Sequence, residues 1–121
     1  MAKILLIEDE KLLAEMYKDK FEEAGYKVDS VFSAEDALKY LKKKKPDLIL
    51  LDILLPRKNG IEFLEELKEI AGVSKIPVVG LSNYDDPETK NKAFQLGIKG
   101  YLIKTQYTPQ QLLARIKKYL E

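Results

Sequence analysis

The chain has 121 residues, of which 45% are hydrophobic and 34% are charged, and its 21 basic and 20 acidic residues leave a formal net charge of +1. The hydrophobic content and the balanced charges argue against disorder and against a general nucleic-acid surface. Neither a membrane-length apolar run nor a leader-like segment occurs, which predicts one soluble, cytoplasmic domain over residues 1–121. Cysteine and histidine are both absent, which excludes disulfides, thiolate catalysis and the commonest transition-metal ligands and leaves oxygen ligands for hard ions such as Mg²⁺ or Ca²⁺.

Five short apolar runs predict β-strands, and longer amphipathic segments separate them. The runs cover residues 3–7, 27–32, 48–52, 76–82 and 100–103. The first, third and fourth runs are nearly continuous in Ile, Leu and Val, which is typical of interior parallel strands with helices on both faces.

Helical periodicity and cap residues predict five helices. The first is expected over about 10–24, with Gly25 as its left-handed stop and an apolar side made of Leu13, Met16, Tyr17, Phe21 and Ala24. The others are expected from Ser33, which resembles a cap together with Asp36, over about 60–71, from Asp86 to Gly97, and from Thr108 to the end of the chain. Regular strand-helix alternation predicts an α/β fold, a flavodoxin-like doubly wound five-stranded parallel sheet of strand order 2-1-3-4-5 with five helices.

Polar residues follow the carboxyl ends of four predicted strands. Glu8 and Asp9 follow the first strand, Asp52 ends the third, Ser82 ends the fourth and Lys104 follows the fifth. The first and third strands are neighbours about 4.8 Å apart, so Asp9 and Asp52 are placed to share one small ion. Because clustered acids repel each other unless cations neutralise them, we expect a Mg²⁺ site in which Asp52 is a candidate nucleophile toward a phosphoryl donor.

In this order, the residues resemble the receiver domain of two-component response regulators, in particular the chemotaxis-type members that consist of this domain alone. The resemblance spans the whole chain. It rests on the acidic pair Glu8-Asp9, the segment from Asp52 through Pro56 to Gly60, the run from Pro77 to Ser82, and the segment from Gly97 through Tyr101 to Lys104.

The resemblance implies that Asp52 is the phosphoacceptor in phosphorelay signal transduction. It further implies that Mg²⁺ is bound by Asp9, Asp52 and the backbone carbonyl of Leu54, with Glu8 acting through a water. A chain of this kind would catalyse only its own phosphorylation and dephosphorylation, and would not be an enzyme acting on an external substrate.

The resemblance also assigns the remaining site residues and the partners. Ser82 and Lys104 would contact the phosphoryl group, and Ser82 and Tyr101 would form the switch. A histidine kinase, a phosphotransfer protein or a small acyl phosphate would be the donor, with a docking edge near Leu12 and Leu13. The surface of the fourth helix, fifth strand and fifth helix would contact a downstream target or output domain, and no direct nucleic-acid or membrane contact is expected.

The sequence departs from the family pattern at three positions. Thr105 replaces the usual proline after Lys104, and because a cis bond before a non-proline residue costs about 2.5–4 kcal/mol, we predict a trans peptide there. Asn83 stands where a small residue is typical, and Ile98 replaces the usual alanine. Tyr84, two residues after Ser82, is bulky enough to screen an acyl phosphate from water, which leads to the hypothesis of slow self-dephosphorylation.

Other functions of the same fold are less consistent with the sequence. A haloacid-dehalogenase-type phosphatase needs a second acid two residues after its nucleophile, where this chain has Leu54. A flavodoxin needs a hydroxyl- and glycine-rich loop after the first strand, where this chain has acids. A structural module with an unused acidic pocket stays open as an alternative.

Each candidate residue also has a simpler interpretation when it is considered alone. Asp9 could cap the following helix, Glu8 could be a solvated acid, and Asp52 could be a simple strand-end residue before a turn. Ser82 could be a turn hydroxyl, Lys104 a surface charge and Tyr101 ordinary strand packing. The signalling interpretation depends on their meeting at one edge of the sheet.

Overall fold

A computed structural model describes residues 2–73, 75–83 and 85–120 and shows a parallel sheet with helices on both faces. The strands are β1 (Lys3–Ile7), β2 (Lys27–Val31), β3 (Leu48–Asp52), β4 (Val78–Ser82) and β5 (Gly100–Ile103). The helices are α1 (Lys11–Glu23), α2 (Ala34–Lys43), α3 (Gly60–Leu67), α4 (Pro87–Gln95) and α5 (Pro109–Ile116), with short 3-10 helices at Lys104–Gln106 and Lys117–Tyr119. The strand order β2-β1-β3-β4-β5 confirms the predicted flavodoxin-like fold.

The strand register brings the carboxyl ends of the central strands to one edge. Leu5 of β1 lies opposite Ile49 of β3, and Leu51 of β3 lies opposite Gly80 of β4. Every residue of β3 and β4 is buried, as expected for strands covered on both faces. Side chains alternate between two apolar clusters, one under α2, α3 and α4 and the other under α1 and α5. This packing holds the polar strand ends in a fixed arrangement.

The orientation of α1 differs from the sequence prediction. Ala14, Tyr17 and Phe21 are its buried residues, and the rings of Tyr17 and Phe21 stack with centroids 6.0 Å apart. Met16, predicted to face the core, is 54% exposed, and Leu13 is half-buried at the edge of the cluster. The prediction for Met16 was wrong because adjacent apolar residues allow two helix rotations, and the two large rings decide between them.

The ends of several elements also differ from prediction. The helix α5, predicted to run to the end of the chain, ends at Ile116 and is followed by the 3-10 helix Lys117–Tyr119. The helix α3 ends at Leu67 rather than near residue 71, and a turn follows in which Gly72 has a φ of 84°. The strand β4 begins at Val78 rather than at Ile76, because the Ile76 N–H bonds to the Val73 carbonyl in a turn.

Within the described ranges, no helix combines the length and the apolar character that a bilayer crossing requires.

Side-chain caps fix the starts of three helices. Ser33 accepts a hydrogen bond from the Asp36 N–H at 3.1 Å, as predicted. Asn59 with Glu62 and Thr108 with Gln111 each form a reciprocal capping box at α3 and α5. Asp86 does not cap α4 through its side chain and instead accepts the Thr89 hydroxyl hydrogen at 2.6 Å, which corrects the prediction for that helix.

Candidate functional site

Three carboxylates meet at the carboxyl ends of β1 and β3. Glu8 and Asp9 directly follow β1, and Asp52 is the last residue of β3. One carboxylate oxygen from each of the three residues lies within 4.8 Å of the others. Glu8 and Asp52 are 0% and 4% exposed, whereas Asp9 is exposed to solvent. The predicted acidic site is therefore one compact cluster, open on the side of Asp9.

Lys104 supplies a cation inside this cluster. Its Nζ lies 2.5 Å from Glu8 Oε1 and 3.2 Å from Asp52 Oδ2. Lys104 is itself buried, at the start of the 3-10 helix that follows β5. No cis peptide bond occurs in the described part of the chain, so the predicted trans bond between Lys104 and Thr105 is confirmed.

Backbone donors complete the hydrogen bonding of the two buried carboxylates. The Glu10 N–H donates to Glu8 Oε2 at 3.1 Å, and the Leu54 N–H donates to Asp52 Oδ1 at 3.1 Å. Each carboxylate therefore contacts Lys104 through one oxygen and a backbone N–H through the other, which limits the cost of burying two charges.

Burial has the largest effect on the pKa values of the two buried acids. Burial raises the pKa of Glu8 from 4.5 to about 7, although Lys104 donates a hydrogen bond to it. Burial also raises the pKa of Asp52, against the opposing effects of the Lys104 charge and the Leu54 N–H. For Lys104, burial disfavours the charged form, but the hydrogen bond to Glu8 and the charge of Asp52 outweigh it and raise the Lys104 pKa. One ammonium does not fully compensate two buried acids and a third beside them.

The loop after β3 is held close to the sheet. The Ile53 N–H bonds to the Leu81 carbonyl at 2.9 Å, and the Gly60 N–H bonds to the Ile53 carbonyl at 2.8 Å. A Cβ on Gly60 would lie 2.7 Å from Ile53 Cα, so only glycine allows this approach without displacement. Leu54, in the same loop, has a side chain 53% exposed and a backbone N–H committed to Asp52.

The predicted switch residues lie on β4, which neighbours β3, and on the edge strand β5. Ser82 is buried at the end of β4, opposite Ile103 of β5. Tyr101 is half-buried on β5 and packs against the apolar cluster under α2, α3 and α4. Lys90 of α4 lies 5.9 Å from the centroid of the Tyr101 ring, a contact that the sequence analysis did not predict. Tyr84 lies outside the described residues.

The simpler interpretations of three residues disagree with the structure. The N-cap of α1 is Glu10, so Asp9 is not its cap residue. Glu8 is fully buried rather than solvated, and Lys104 is 8% exposed rather than a surface charge.

A second aromatic residue near the acids was predicted only as core. Tyr17 of α1 is 2% exposed, and burial raises its pKa, with smaller effects from the charges of Lys104, Glu8 and Asp52. The sequence gives no signal for this proximity, since Tyr17 fits a core periodicity equally well.

The donor set fits a small hard cation. All three side chains offer carboxylate oxygens within one small volume, which is the ligand type that Mg²⁺ prefers. Mg²⁺ usually keeps several waters and takes one or two protein carboxylates, and the exposed position of Asp9 leaves room for such waters. The chain lacks histidine and cysteine, the common nitrogen and sulfur ligands of softer metals.

Comparisons with known proteins agree with this geometry. A model of the response regulator receiver domain family matches residues 4–117. The alkaline phosphatase synthesis transcriptional regulatory protein PhoP of Bacillus subtilis is 33% identical over 118 residues, covering 98% of this chain and 48% of PhoP. This chain spans about half the length of the curated relatives it matches.

Two solved structures are similar over nearly the whole fold. The chemotaxis protein CheY4 of Vibrio cholerae gives a TM-score of 0.92 at 28% identity, with 99% of both chains covered. The phosphorylated cyanobacterial phytochrome response regulator RcpA gives a TM-score of 0.87 at 29% identity, covering 98% of this chain and 93% of RcpA. Together with the acidic cluster and the family match, these similarities show that the chain belongs to the response regulator receiver domain family of two-component signalling.

Proposed function

We propose that the chain accepts a phosphoryl group on Asp52 from a phosphohistidine donor in a Mg²⁺-dependent reaction and thereby switches a partner-binding surface. The observation that carries this proposal is the environment of Asp52. Its carboxylate is buried at the end of β3 and lies 3.2 Å from the Lys104 ammonium. One of its oxygens lies within 4.8 Å of a carboxylate oxygen of Glu8 and of one of Asp9.

The chemistry follows from the two oxygens of Asp52. Its ionised carboxylate attacks phosphorus, the bond from phosphorus to the donor nitrogen breaks, and the donor imidazole leaves with the bonding electrons. The product is an acyl phosphate on Asp52. The Leu54 N–H and the Lys104 ammonium favour the ionised carboxylate that this attack requires.

Mg²⁺ would be held by Asp9, Asp52 and the Leu54 carbonyl, with Glu8 acting through a water, and would neutralise the negative charge that gathers around the phosphoryl group. Lys104 is near enough to exchange its contact with Asp52 for one with a phosphoryl oxygen. Ser82, buried at the neighbouring strand end, would donate its hydroxyl to another oxygen.

The response to phosphorylation would involve Ser82 and Tyr101. Movement of the Ser82 hydroxyl toward the phosphoryl group would leave space into which the Tyr101 ring turns. Such a change would alter the surface formed by α4, β5 and α5, which we propose as the contact for a downstream target or output domain.

Docking of the kinase or phosphotransfer protein is proposed at the exposed side of α1. Leu12 is 78% exposed and Met16 is 54% exposed, and residues four apart lie on the same side of a helix. Leu13, predicted earlier as part of this edge, packs against the core cluster instead. The docking edge is therefore reassigned to Leu12 and Met16.

The organisation of the whole protein is a separate part of the proposal. We propose residues 1–121 as one receiver domain of the chemotaxis type, acting in the cytoplasm, and the similarity of its fold to that of CheY4, with a TM-score of 0.92, supports this interpretation. The curated relatives are about twice as long, so immunoblotting of the protein from its source cells is the appropriate test. A product of about twice this mass would show that an output domain accompanies this receiver domain.

Phosphoryl transfer is tested with acetyl phosphate and Mg²⁺, followed by intact mass measurement. The wild type should gain the mass of one phosphoryl group, and Asp52→Asn should gain none. Asp19→Asn, which changes an exposed acid on α1, is the matched control and should behave as the wild type. Absence of a Mg²⁺-dependent adduct with both acetyl phosphate and beryllofluoride would favour a structural module with an unused pocket.

A further inference from the structure

The last third of the chain carries an excess of positive charge. Residues 87–120 contain seven lysines and arginines and one acid, Glu88, whereas residues 1–86 contain 14 basic and 18 acidic residues. The net charge of +1 therefore combines two regions of opposite sign. One of the seven cations, Lys104, is buried in its ion pairs with Glu8 and Asp52, and the other six lie on or beside α4, β5 and α5.

Several of these cations lie next to aromatic rings. Lys90 is 5.9 Å from the ring centroid of Tyr101, Arg115 is 5.3 Å from that of Tyr107, and Lys118 is 5.1 Å from that of Tyr119. Lys99, Arg115 and Lys118 are exposed. Phe94 is 41% exposed and follows Lys90 by four residues, so both side chains lie on the same side of α4.

These residues are connected through β5, an edge strand whose Tyr101 ring lies beside Lys90 of α4. The helix α4 lies on one face of the sheet and α5 on the other. Tyr119, which follows α5, donates its hydroxyl hydrogen to the Lys99 carbonyl at 3.1 Å, and this contact joins the end of α5 to the start of β5. We define the cationic face by Lys90, Phe94, Lys99, Tyr101, Arg115 and Lys118.

We infer that the cationic face binds an acidic segment of a partner protein, with carboxylates against Lys99, Arg115 and Lys118 and an apolar side chain against Phe94. The inference rests on the proposed function, in which this surface contacts the downstream partner, and adds the chemistry of that partner. Opposite charge across such a contact speeds association and favours one class of partner over others.

A second copy of the chain is a poor occupant of this face. A two-fold symmetric contact places the same surface on both sides. Since Glu88 is the single acid in residues 87–120, such pairing would bring lysines and arginines opposite each other without compensating carboxylates, and like charges directly opposed are unfavourable.

A nucleic acid is also a poor occupant. Stacking of bases requires open aromatic faces, and the rings of Tyr101, Tyr107 and Tyr119 each already have a cation of this chain over them. The rest of the chain has more acids than bases, so a long polyanion that extends past the cationic face would be repelled.

The test is a titration of ¹⁵N-labelled protein with an acetylated octapeptide of six glutamates and two leucines. The triple variant Lys99→Gln/Arg115→Gln/Lys118→Gln is compared with Lys39→Gln/Lys42→Gln/Lys43→Gln, which removes three exposed cations from α2. An oligothymidylate of eight nucleotides is titrated in parallel, and sedimentation measures self-association. All titrations are made with and without beryllofluoride and Mg²⁺.

The peptide is expected to bind and to change the amide chemical shifts of residues in α4, β5 and α5. The affinity should be about tenfold weaker in the triple variant of the cationic face and unchanged in the α2 variant. Raising the salt from 50 to 500 mM should weaken this binding. Equal binding by both variants, no binding at 1 mM peptide, tighter binding of the oligothymidylate, or self-association lost only in the face variant would each overturn the inference. Failure of the proposed function is separate, since it would appear as the absence of any beryllofluoride response at Asp52.

Discussion

Replacing Glu8 with glutamine is expected to remove a large part of the pH dependence of folding stability in the metal-free protein. Burial raises the pKa of Glu8 from 4.5 to about 7. An acid whose pKa is higher in the folded chain holds its proton more tightly there, so stability is greatest below the unfolded pKa and falls as pH rises toward the folded pKa. At about 1.4 kcal/mol per pKa unit the full loss is about 3 kcal/mol, of which about 2 kcal/mol falls between pH 5.5 and 8.

The two partners of Glu8 do not change this sign. The pKa of Lys104 is raised above 10.5, so its contribution is constant in this range and is lost only at higher pH. The raised pKa of Asp52 adds a loss of the same direction, which Glu8→Gln leaves in place. Between pH 5.5 and pH 8, the free energy of unfolding of Glu8→Gln should therefore fall by about 2 kcal/mol less than that of the wild type does.

The assay is urea unfolding in EDTA, followed by circular dichroism at pH 5.5 and at pH 8. Glu65→Gln, which changes an exposed residue of α3, is the control and should retain the wild-type pH dependence. If Glu8→Gln loses as much stability as the wild type between the two pH values, the assignment of a raised pKa to the buried Glu8 is wrong.

Three further changes test other features. Asp9→Asn should weaken Mg²⁺ binding about tenfold in calorimetry and change metal-free stability by less than about 0.5 kcal/mol, because Asp9 is exposed; unaltered affinity would argue against its role as a ligand. Gly100→Ala should lower the free energy of unfolding by about 1–3 kcal/mol, because its Cβ would lie 2.8 Å from the Tyr119 hydroxyl. Adding Tyr119→Phe should recover part of that loss in thermal denaturation, and no recovery would exclude this clash. Ser30→Ala should stabilise the protein by up to about 1 kcal/mol, because Ser30 Oγ is buried with no hydrogen-bond partner among the described residues; a lower melting temperature would show that the hydroxyl is satisfied.

The sheet and the position of the acidic site were predictable because both depend on strong local signals. Continuous Ile, Leu and Val runs identify buried strands, and a parallel sheet brings all carboxyl ends to one edge. Asp9 and Asp52 could therefore be placed together from the strand order alone. The capping box at Asn59 and Glu62 also has a sequence signature, a capping residue followed three positions later by Glu.

Other features depend on packing that no local pattern specifies. The rotation of α1 is set by Tyr17 and Phe21 against the sheet, and a run containing Leu12, Leu13 and Met16 fits more than one rotation. The approach of Lys90 to Tyr101 likewise depends on how α4 lies beside β5.

The ion pair between Lys104 and Glu8 joins residues 96 positions apart, and this separation has a consequence for biosynthesis. A ribosome makes the acidic strand ends first and the compensating ammonium only after β5. Until β5 docks, a nascent chain must hold Glu8 and Asp52 near each other without their cation, so an early, partly folded intermediate is penalised. Folding of this domain should therefore await the release of β5 and Lys104 from the exit tunnel, and products truncated before Lys104 should be recognised as unfolded by proteases.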